Sequence, residues 1–515
     1  MTISATNILM NAFSMRGISI IAGFTVLAGI ILYYAAFILN KQTRKMMPKL
    51  KSFNQLPTKP FFGSMYLFLG NTRERTKKML HVAVKCETPV VMWMVHKPVV
   101  CVGKYDDIQI VLKKNQTNRD SLGFYDGIFD NSILMHNGEK WRKSHQIVVA
   151  AFSPNMLHRY FQTIKEHSLL LVKKFETFSD SETAFDVKNY TPILTMNSLI
   201  KNITGYEASE KQTTEFYDAN VTAVLTESLR YTIPLLFPKF IYNAYLFLSG
   251  KCRTYKVMEK LVDEIIEDRL SMNHMKDLKN NEIDNDGAAH PQLMIDLLLR
   301  EHFKNPQFTR KDVRDELRSE IIVGSDGLSE VLCFTLLMLA MHPEVQEKVY
   351  NEIRTFCGDD GREIQMDDLK KLVYMEQCIY ETLRKFPLLP FTVRVSREDI
   401  TLKNNQVIPA GCPIFLIFYK SHHDEEFFPN AYNWDPRHFD PETIKQRRCA
   451  FFPFGAGSRL CIGNKYAMMS IKTQLAYVLR RYRLTTEMKM QDIHLAFHLS
   501  LRNDSLYWLK TYSRC

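Results

Sequence analysis

The sequence predicts a mainly α protein carrying small β-sheets. Helical periodicity dominates from about residue 65 onward. Short β-like runs interrupt it. Val90–Val95 and Val99–Val102 read as a hairpin across His96-Lys97-Pro98, and a second β-rich patch lies around 391–418, with Ile400-Thr401-Leu402 and Ile414-Phe415-Leu416-Ile417. A hydrophobic content of 46% over 515 residues supplies a large core, and the length alone would accommodate several ordinary domains. The polar, turn-rich stretch 279–291 reads as a loop, and no internal repeat is present.

Ahead of this helical body, Gly17 to Leu39 carries no charge and is almost wholly apolar, long enough as a helix to span a bilayer with some tilt. Lys41, Arg44, Lys45, Lys49 and Lys51 follow it, against Arg16 alone before it. The positive-inside rule therefore puts the bulk of the chain on the cytosolic side and residues 1–16 across the membrane. A cleaved signal peptide would have a shorter apolar core and a small-residue cleavage site, which Tyr33-Tyr34 through Leu39 fits poorly, so an uncleaved anchor over 17–39 is expected. The segment 40–64 joins the basic run to Leu56-Pro57-Thr58-Lys59-Pro60-Phe61-Phe62-Gly63, where two close prolines favour a stiff extended connector over a helix.

Composition narrows the function. Ten cysteines are scattered without paired spacing in a chain too large to need disulfide staples, which suits a reducing compartment, and no zinc-type Cys/His cluster appears. The net charge of +11 is not gathered into an interleaved basic–aromatic pattern, and no nucleic-acid motif is present. Basic faces also suit anionic membranes and acidic redox partners, which is the reading preferred here.

The most specific stretch is Phe454-Gly455-Ala456-Gly457-Ser458-Arg459-Leu460-Cys461-Ile462-Gly463. Gly457 and Gly463 tolerate backbone angles that other residues avoid, so such a loop can turn N–H groups toward the sulfur of Cys461. Those contacts and a nearby cation favour thiolate, the metal-binding form. Arg459 is a fixed cation able to pair with a cofactor carboxylate. The spacing Phe-x-x-Gly-x-Arg-x-Cys-x-Gly resembles the haem-binding signature of the cytochrome P450 superfamily. The resemblance implies a single large helical haem domain over 65–515, with haem b (iron protoporphyrin IX) held by Cys461 as axial thiolate and by contacts from Phe454, Gly457, Arg459 and Gly463. The proline-containing segment is similar to the hinge that membrane-bound members place after their anchor.

Other constellations extend the resemblance. Glu381 and Arg384 stand at i, i+3, which alone reads as a surface ion pair contributing ~0.3 kcal/mol. Followed by Phe386-Pro387, the pair resembles the family's Glu-x-x-Arg helix, implying a buried structural network. Its third member usually comes from a Phe-x-Pro-x-Arg-Phe segment. Here Trp434-Asp435-Pro436-Arg437-His438-Phe439 puts His438 where arginine is usual and Arg437 one place earlier, and either can supply the donor. The resemblance also implies haem-propionate contacts from Trp141, from His145 where arginine is usual, and from Arg394.

Asp315 to Met341 reads as a long helix, broken or groove-forming at Gly324 and Gly327. It resembles the helix crossing over the haem in the branch that includes fatty-acid hydroxylases. Val323 stands where that branch often has a haem-esterifying glutamate, so no such link is expected. Gly327 stands where an acid–alcohol pair usually relays protons. Asp326 supplies the acid, but the threonine is missing, and Ser325 and Ser329 each lie about 200° around the helix from Gly327.

The resemblance thus implies a monooxygenase of the endoplasmic reticulum membrane, single-pass, with its catalytic domain facing the cytosol. It would insert one oxygen atom from O2 into a small lipophile such as a fatty acid, steroid or xenobiotic. Because no dinucleotide fingerprint is present, electrons would come from NADPH through a flavoprotein reductase, with cytochrome b5 as a further candidate donor. Lys140, Arg142, Lys143, Arg447 and Arg448 are candidates for the docking face, and Phe124, Tyr125, Phe129, Leu388 and Phe391 for the pocket wall. Two other readings stay open: a haem-thiolate isomerase or dehydratase acting on a peroxide without O2, and a non-catalytic haem- or lipid-binding protein.

Overall fold

A computed structural model describes residues 41–514, apart from 61, 96, 115–127, 130, 234–235, 237–238, 273–291, 359–360 and 396. The expected anchor at 17–39, the loop at 279–291, and Phe124 and Tyr125 lie outside the described residues.

The core is built around one 32-residue helix, Arg310–Met341, started by a capping box in which Thr309 and Asp312 satisfy each other's backbone N–H groups. It ends at His342, where Pro343 opens the next helix, Pro343–Cys357, a position at which its missing N–H costs nothing. Of the break or groove expected at Gly324 and Gly327, the break does not occur, and this helix runs continuously through both. Two glycines cost about 1 kcal/mol each in a helix interior, and packing on nearly every side offsets that. Gly324 does form a groove. A Cβ there would stand 2.6 Å from Leu199 Cδ2, so a larger residue would have to push that side-chain tip aside where the helix Thr191–Thr204 packs. The long helix is apolar enough to cross a bilayer, but its apolar stretch is mostly buried inside the fold. It packs on Asn464–Arg481, the helix that begins three residues after Cys461, which in turn packs on Pro154–Glu176.

A five-stranded sheet flanks this helical body in the order Asn54–Gln55, Val90–Met94, Lys97–Val102, Pro413–Leu416, Thr392–Val395. The middle hairpin is antiparallel, as read from the sequence, but its second strand already starts at Lys97, and Val95 takes a left-handed φ of +59° at the turn. Every residue of Val90–Met94 is buried. Val91 and Trp93 face one apolar cluster while Val90, Met92 and Met94 face another, which is why this strand reads as an uninterrupted apolar run.

The segment assigned to a hinge at 40–64 is packed in much of its length. Lys41–Leu50 is helical, and Met46, Leu50 and Phe53 are buried against the sheet, whose first strand is Asn54–Gln55. Proline at 48 lies in the last turns of that helix, so the packed body starts well before residue 65.

Candidate active site

Glu381 and Arg384 lie on the helix Val373–Lys385 and are both completely buried. The surface-pair alternative therefore fails. Arg384 grips Glu381 with a two-pronged ion pair, Nε to Oε2 at 2.7 Å and a terminal nitrogen to Oε1 at 2.8 Å. Its remaining donors reach the carbonyls of His422 (2.8 Å) and Asn433 (3.0 Å). Glu381 also accepts from the Asp435 N–H at 2.8 Å. His438, not Arg437, is the third member. Its Nδ1 sits 3.1 Å from Glu381 Oε1 and its Nε2 donates to the Pro429 carbonyl at 2.7 Å, whereas Arg437 is exposed and pairs with Asp435.

The link from this network to the cysteine loop is His422, which the sequence reading missed. Its carbonyl receives Arg384, and its ring Nε2 accepts the Phe452 N–H at 2.8 Å. Burial, then the Arg384 charge, hold this imidazole down to about 3, which keeps it an acceptor. Next to it, Ser421 Oγ donates to the Ala450 carbonyl at 2.8 Å.

From Phe452 the loop is closed by its own backbone: Gly455 N–H to Phe452 O at 3.1 Å, and Cys461 N–H to Phe454 O at 2.9 Å. Asn464 caps the turn by donating to the Cys461 carbonyl at 2.8 Å. Gly457 has φ +74°, and a Cβ on it would stand 2.7 Å from the Leu112 carbonyl, so the loop's seat against the helix Tyr105–Lys113 requires glycine. Gly463 has an ordinary φ of −77°; the second left-handed position is Gly455, at +72°. Among the described cysteines Cys461 is the exposed one, the other eight being buried or partly so.

The expected propionate-binding residues fall into two places. Arg459 stacks on the Trp141 ring, 4.2 Å from its centroid, and His145 lies 4.7 Å from the same ring. Arg459 also donates to the His136 carbonyl (2.9 Å) and to Asn137 Oδ1 (3.0 Å). Burial, then Arg459, lower the His145 pKa, so at neutral pH the position offers a hydrogen bond more than a charge. Arg394, on the strand Thr392–Val395, is buried and donates to Thr392 Oγ1 and to the Val393 carbonyl. Of the candidate docking residues, Arg142 and Lys143 are exposed, Lys140 reaches Asn131 and Asp312, and Arg447 binds the His438 carbonyl. The Arg448 side chain lies outside the described residues.

Between residues 315 and 340 the long helix is buried except at 320, 323, 324, 326 and 327, which are partly or fully exposed. Four of these, Glu320, Val323, Gly324 and Gly327, recur at i, i+3, i+4 and i+7, one continuous face. Leu388 approaches it, its Cδ1 3.3 Å from where a Gly327 Cβ would stand. Phe129, by contrast, is buried in the core, and half-buried Phe391 stacks on Phe415 at 5.1 Å beside the sheet.

Asp326 is tied to the hairpin Leu495–Asn503: Arg502 donates to its Oδ2 at 2.8 Å and Ser500 Oγ at 3.2 Å. Neither helical serine replaces the missing threonine, since Ser325 bonds the Ile321 carbonyl and Ser329 the Asp326 carbonyl. Ser500 brings a hydroxyl to Asp326 from 174 residues away, a contact that helical spacing cannot reveal.

The cytochrome P450 family model matches residues 54–509. The chain belongs to the cytochrome P450 family. Its start at Asn54 coincides with the first strand of the sheet, inside the segment read as a hinge. Among relatives of this P450 are cytochrome P450 4c21 of Blattella germanica, 27% identical over 91% of this chain and 93% of its own, and human cytochrome P450 4F8, 26% identical over 94% of each. Human cytochrome P450 4V2 is 26% identical over 82% of each chain. Family membership makes the protein a haem-thiolate monooxygenase. The residues present fit the group: an exposed thiol on a loop cradled by Gly457, cations at Arg459 and Arg394, and a helix face left open beside Gly327.

Proposed function

We propose that this protein is a membrane-anchored monooxygenase that uses NADPH-derived electrons, delivered by a flavoprotein reductase, to insert one oxygen atom into a small lipophile. The observation that carries the reading is the buried chain of contacts from Glu381 through Arg384 and His422 to Phe452, which holds Cys461 as an exposed thiol. Cys461 would be the axial ligand, with Arg459, Trp141, His145 and Arg394 holding the propionates. The haem, when bound, supplies the oxidation chemistry, favoured by electron density from the thiolate.

The chain's own share is positioning and proton supply. Asp326 and Ser500 form a carboxylate–hydroxyl pair, anchored by Arg502, in place of the missing threonine. The hairpin carrying Ser500 reaches the Gly327 face directly, because the Leu501 N–H donates to the Leu388 carbonyl at 2.6 Å and the Leu388 side chain borders Gly327. A proton held at Ser500 Oγ is therefore one side chain away from the open face. Membrane association is supported by the helix Lys239–Leu248, whose Phe240, Phe247 and Leu248 are each at least 75% exposed, an apolar patch suited to a lipid surface. Exposed Arg142 and Lys143 suit an acidic redox partner.

Gly327 keeps one second reading in play, an isomerase or dehydratase acting on a peroxide. One reconstitution separates the two. With reductase, NADPH and labelled O2 over a lipid panel, the proposed enzyme incorporates label and consumes NADPH. Turnover of a lipid hydroperoxide without reductase, and no label in any product, would replace it with the second reading.

A further inference from the structure

On the open face of the long helix, two turns before Gly327, stands a carboxylate that nothing in the mechanism uses. Glu320 makes no hydrogen bond or ion pair among the described residues, and its neighbours along the face are Val323, Gly324 and Gly327. One turn earlier, Glu316 is 99% buried (1% exposed) and accepts the Ile133 N–H through Oε2 at 2.9 Å, while its Oε1 has no partner. Glu316 and Glu320 act on each other electrostatically, so two carboxyls share this stretch of the helix. Their surroundings offer little positive charge. Lys140 reaches Asp312 and Asn131 and acts on Glu316 only at a distance, and the adjoining helix Thr191–Thr204 presents Leu199. A carboxylate left unpaired beside apolar side chains is costly, and a cation brought by a ligand removes that cost.

We propose that Glu320 recognises the charged head of the substrate, and that the substrate is a lipophile bearing a protonated amine. This rests on the monooxygenase reading above for what happens to the other end of the ligand. Seven residues of helix separate Glu320 from Gly327, so an amine held at Glu320 places the oxidised carbon ~10 Å away along the helix. A fatty-acid carboxylate at the same spot would meet the like charge of Glu320.

Binding of labelled N,N-dimethyldodecylamine to the full-length, haem-loaded protein by equilibrium dialysis tests this, with dodecanol as the neutral ligand of equal length. The amine should bind at least tenfold tighter than dodecanol at pH 8. Burial pushes Glu320 up to about 7, so amine affinity should fall about tenfold from pH 8 to pH 6 as the carboxylate takes up a proton, while dodecanol binding stays level. Glu320→Gln should abolish the preference for amine and keep the affinity for dodecanol. Equal affinities in the wild type, or a preference that survives in E320Q, would overturn the proposal. Should E320Q lose dodecanol binding as well, the wild-type pH profile decides, a flat one overturning it. The reduced carbon-monoxide spectrum, recorded alongside, reports separately on the haem-thiolate reading. An abnormal spectrum with the amine preference intact would sink that reading and leave this one standing.

Discussion

The neighbourhood of Glu381 and the stretch from Glu316 to Gly327 both put carboxylates inside the protein, with opposite outcomes. Glu381 receives two bonds from Arg384, one from a backbone N–H and a contact from His438, and each partner is itself engaged. Glu316 keeps an orphaned oxygen, and Glu320 meets no partner among the described residues. A buried charge is tolerated when its hydrogen-bonding capacity is filled, and such a network then fixes geometry. Unfilled capacity serves another end, because it can be completed by a ligand. The first region therefore belongs to holding Cys461, the second to selecting what approaches it.

The comparison can be broken most severely at Arg384. Arg384→Ala strands Glu381 in the core and should destabilise the fold by about 3–5 kcal/mol, read from urea denaturation with loss of retained haem. A shift no larger than that of a surface variant would mean that the network is not structural.

Acid attacks the same region by another route. Burial holds His422 down to about 3 and His136 to about 4, whereas the unfolded chain takes up those protons near 6.5. The unfolded state thus binds more protons as pH drops. The stability tied to both imidazoles is whole above about 6.5 and is lost as pH falls through 4 and then 3. The melting temperature should fall steeply below pH 6, and less steeply in His422→Gln.

A smaller effect discriminates between neighbours. His438→Ala removes two buried contacts and should cost about 1–3 kcal/mol, while Arg437→Ala, at an exposed side chain, should leave the denaturation midpoint unchanged. The reverse order would assign the third place to Arg437. On the long helix the expected stability change is the smallest. Gly327→Thr meets only the flexible tip of Leu388 and should shift stability by no more than about 1 kcal/mol. Its signature is kinetic: product formed per NADPH consumed should rise. An unchanged ratio would mean that Ser500 already supplies the hydroxyl in full.

Much of the thiolate side was legible in the sequence, because a ten-residue loop and an i, i+3 pair carry their geometry in local spacing. His422 was not, since its role lies in two backbone contacts 30 and 38 residues away. Ser500 and Arg502 meet Asp326 only because a C-terminal hairpin folds across the long helix. The choice between His438 and Arg437 depended on which side of a single turn of 3-10 helix faces Glu381, finer than spacing resolves. The start of the packed body was misplaced because Pro57 and Pro60 made 40–64 read as a connector, although Met46, Leu50 and Phe53 ahead of them are buried against the sheet.

The thiolate side turns on Cys461 binding iron, and the reduced carbon-monoxide difference spectrum reads that ligand directly. The wild-type protein should give the long-wavelength Soret band of thiolate-ligated haem, and Cys461→Ser should lose it altogether. A wild-type spectrum lacking that band, or one that survives the substitution of Cys461, would contradict the assignment.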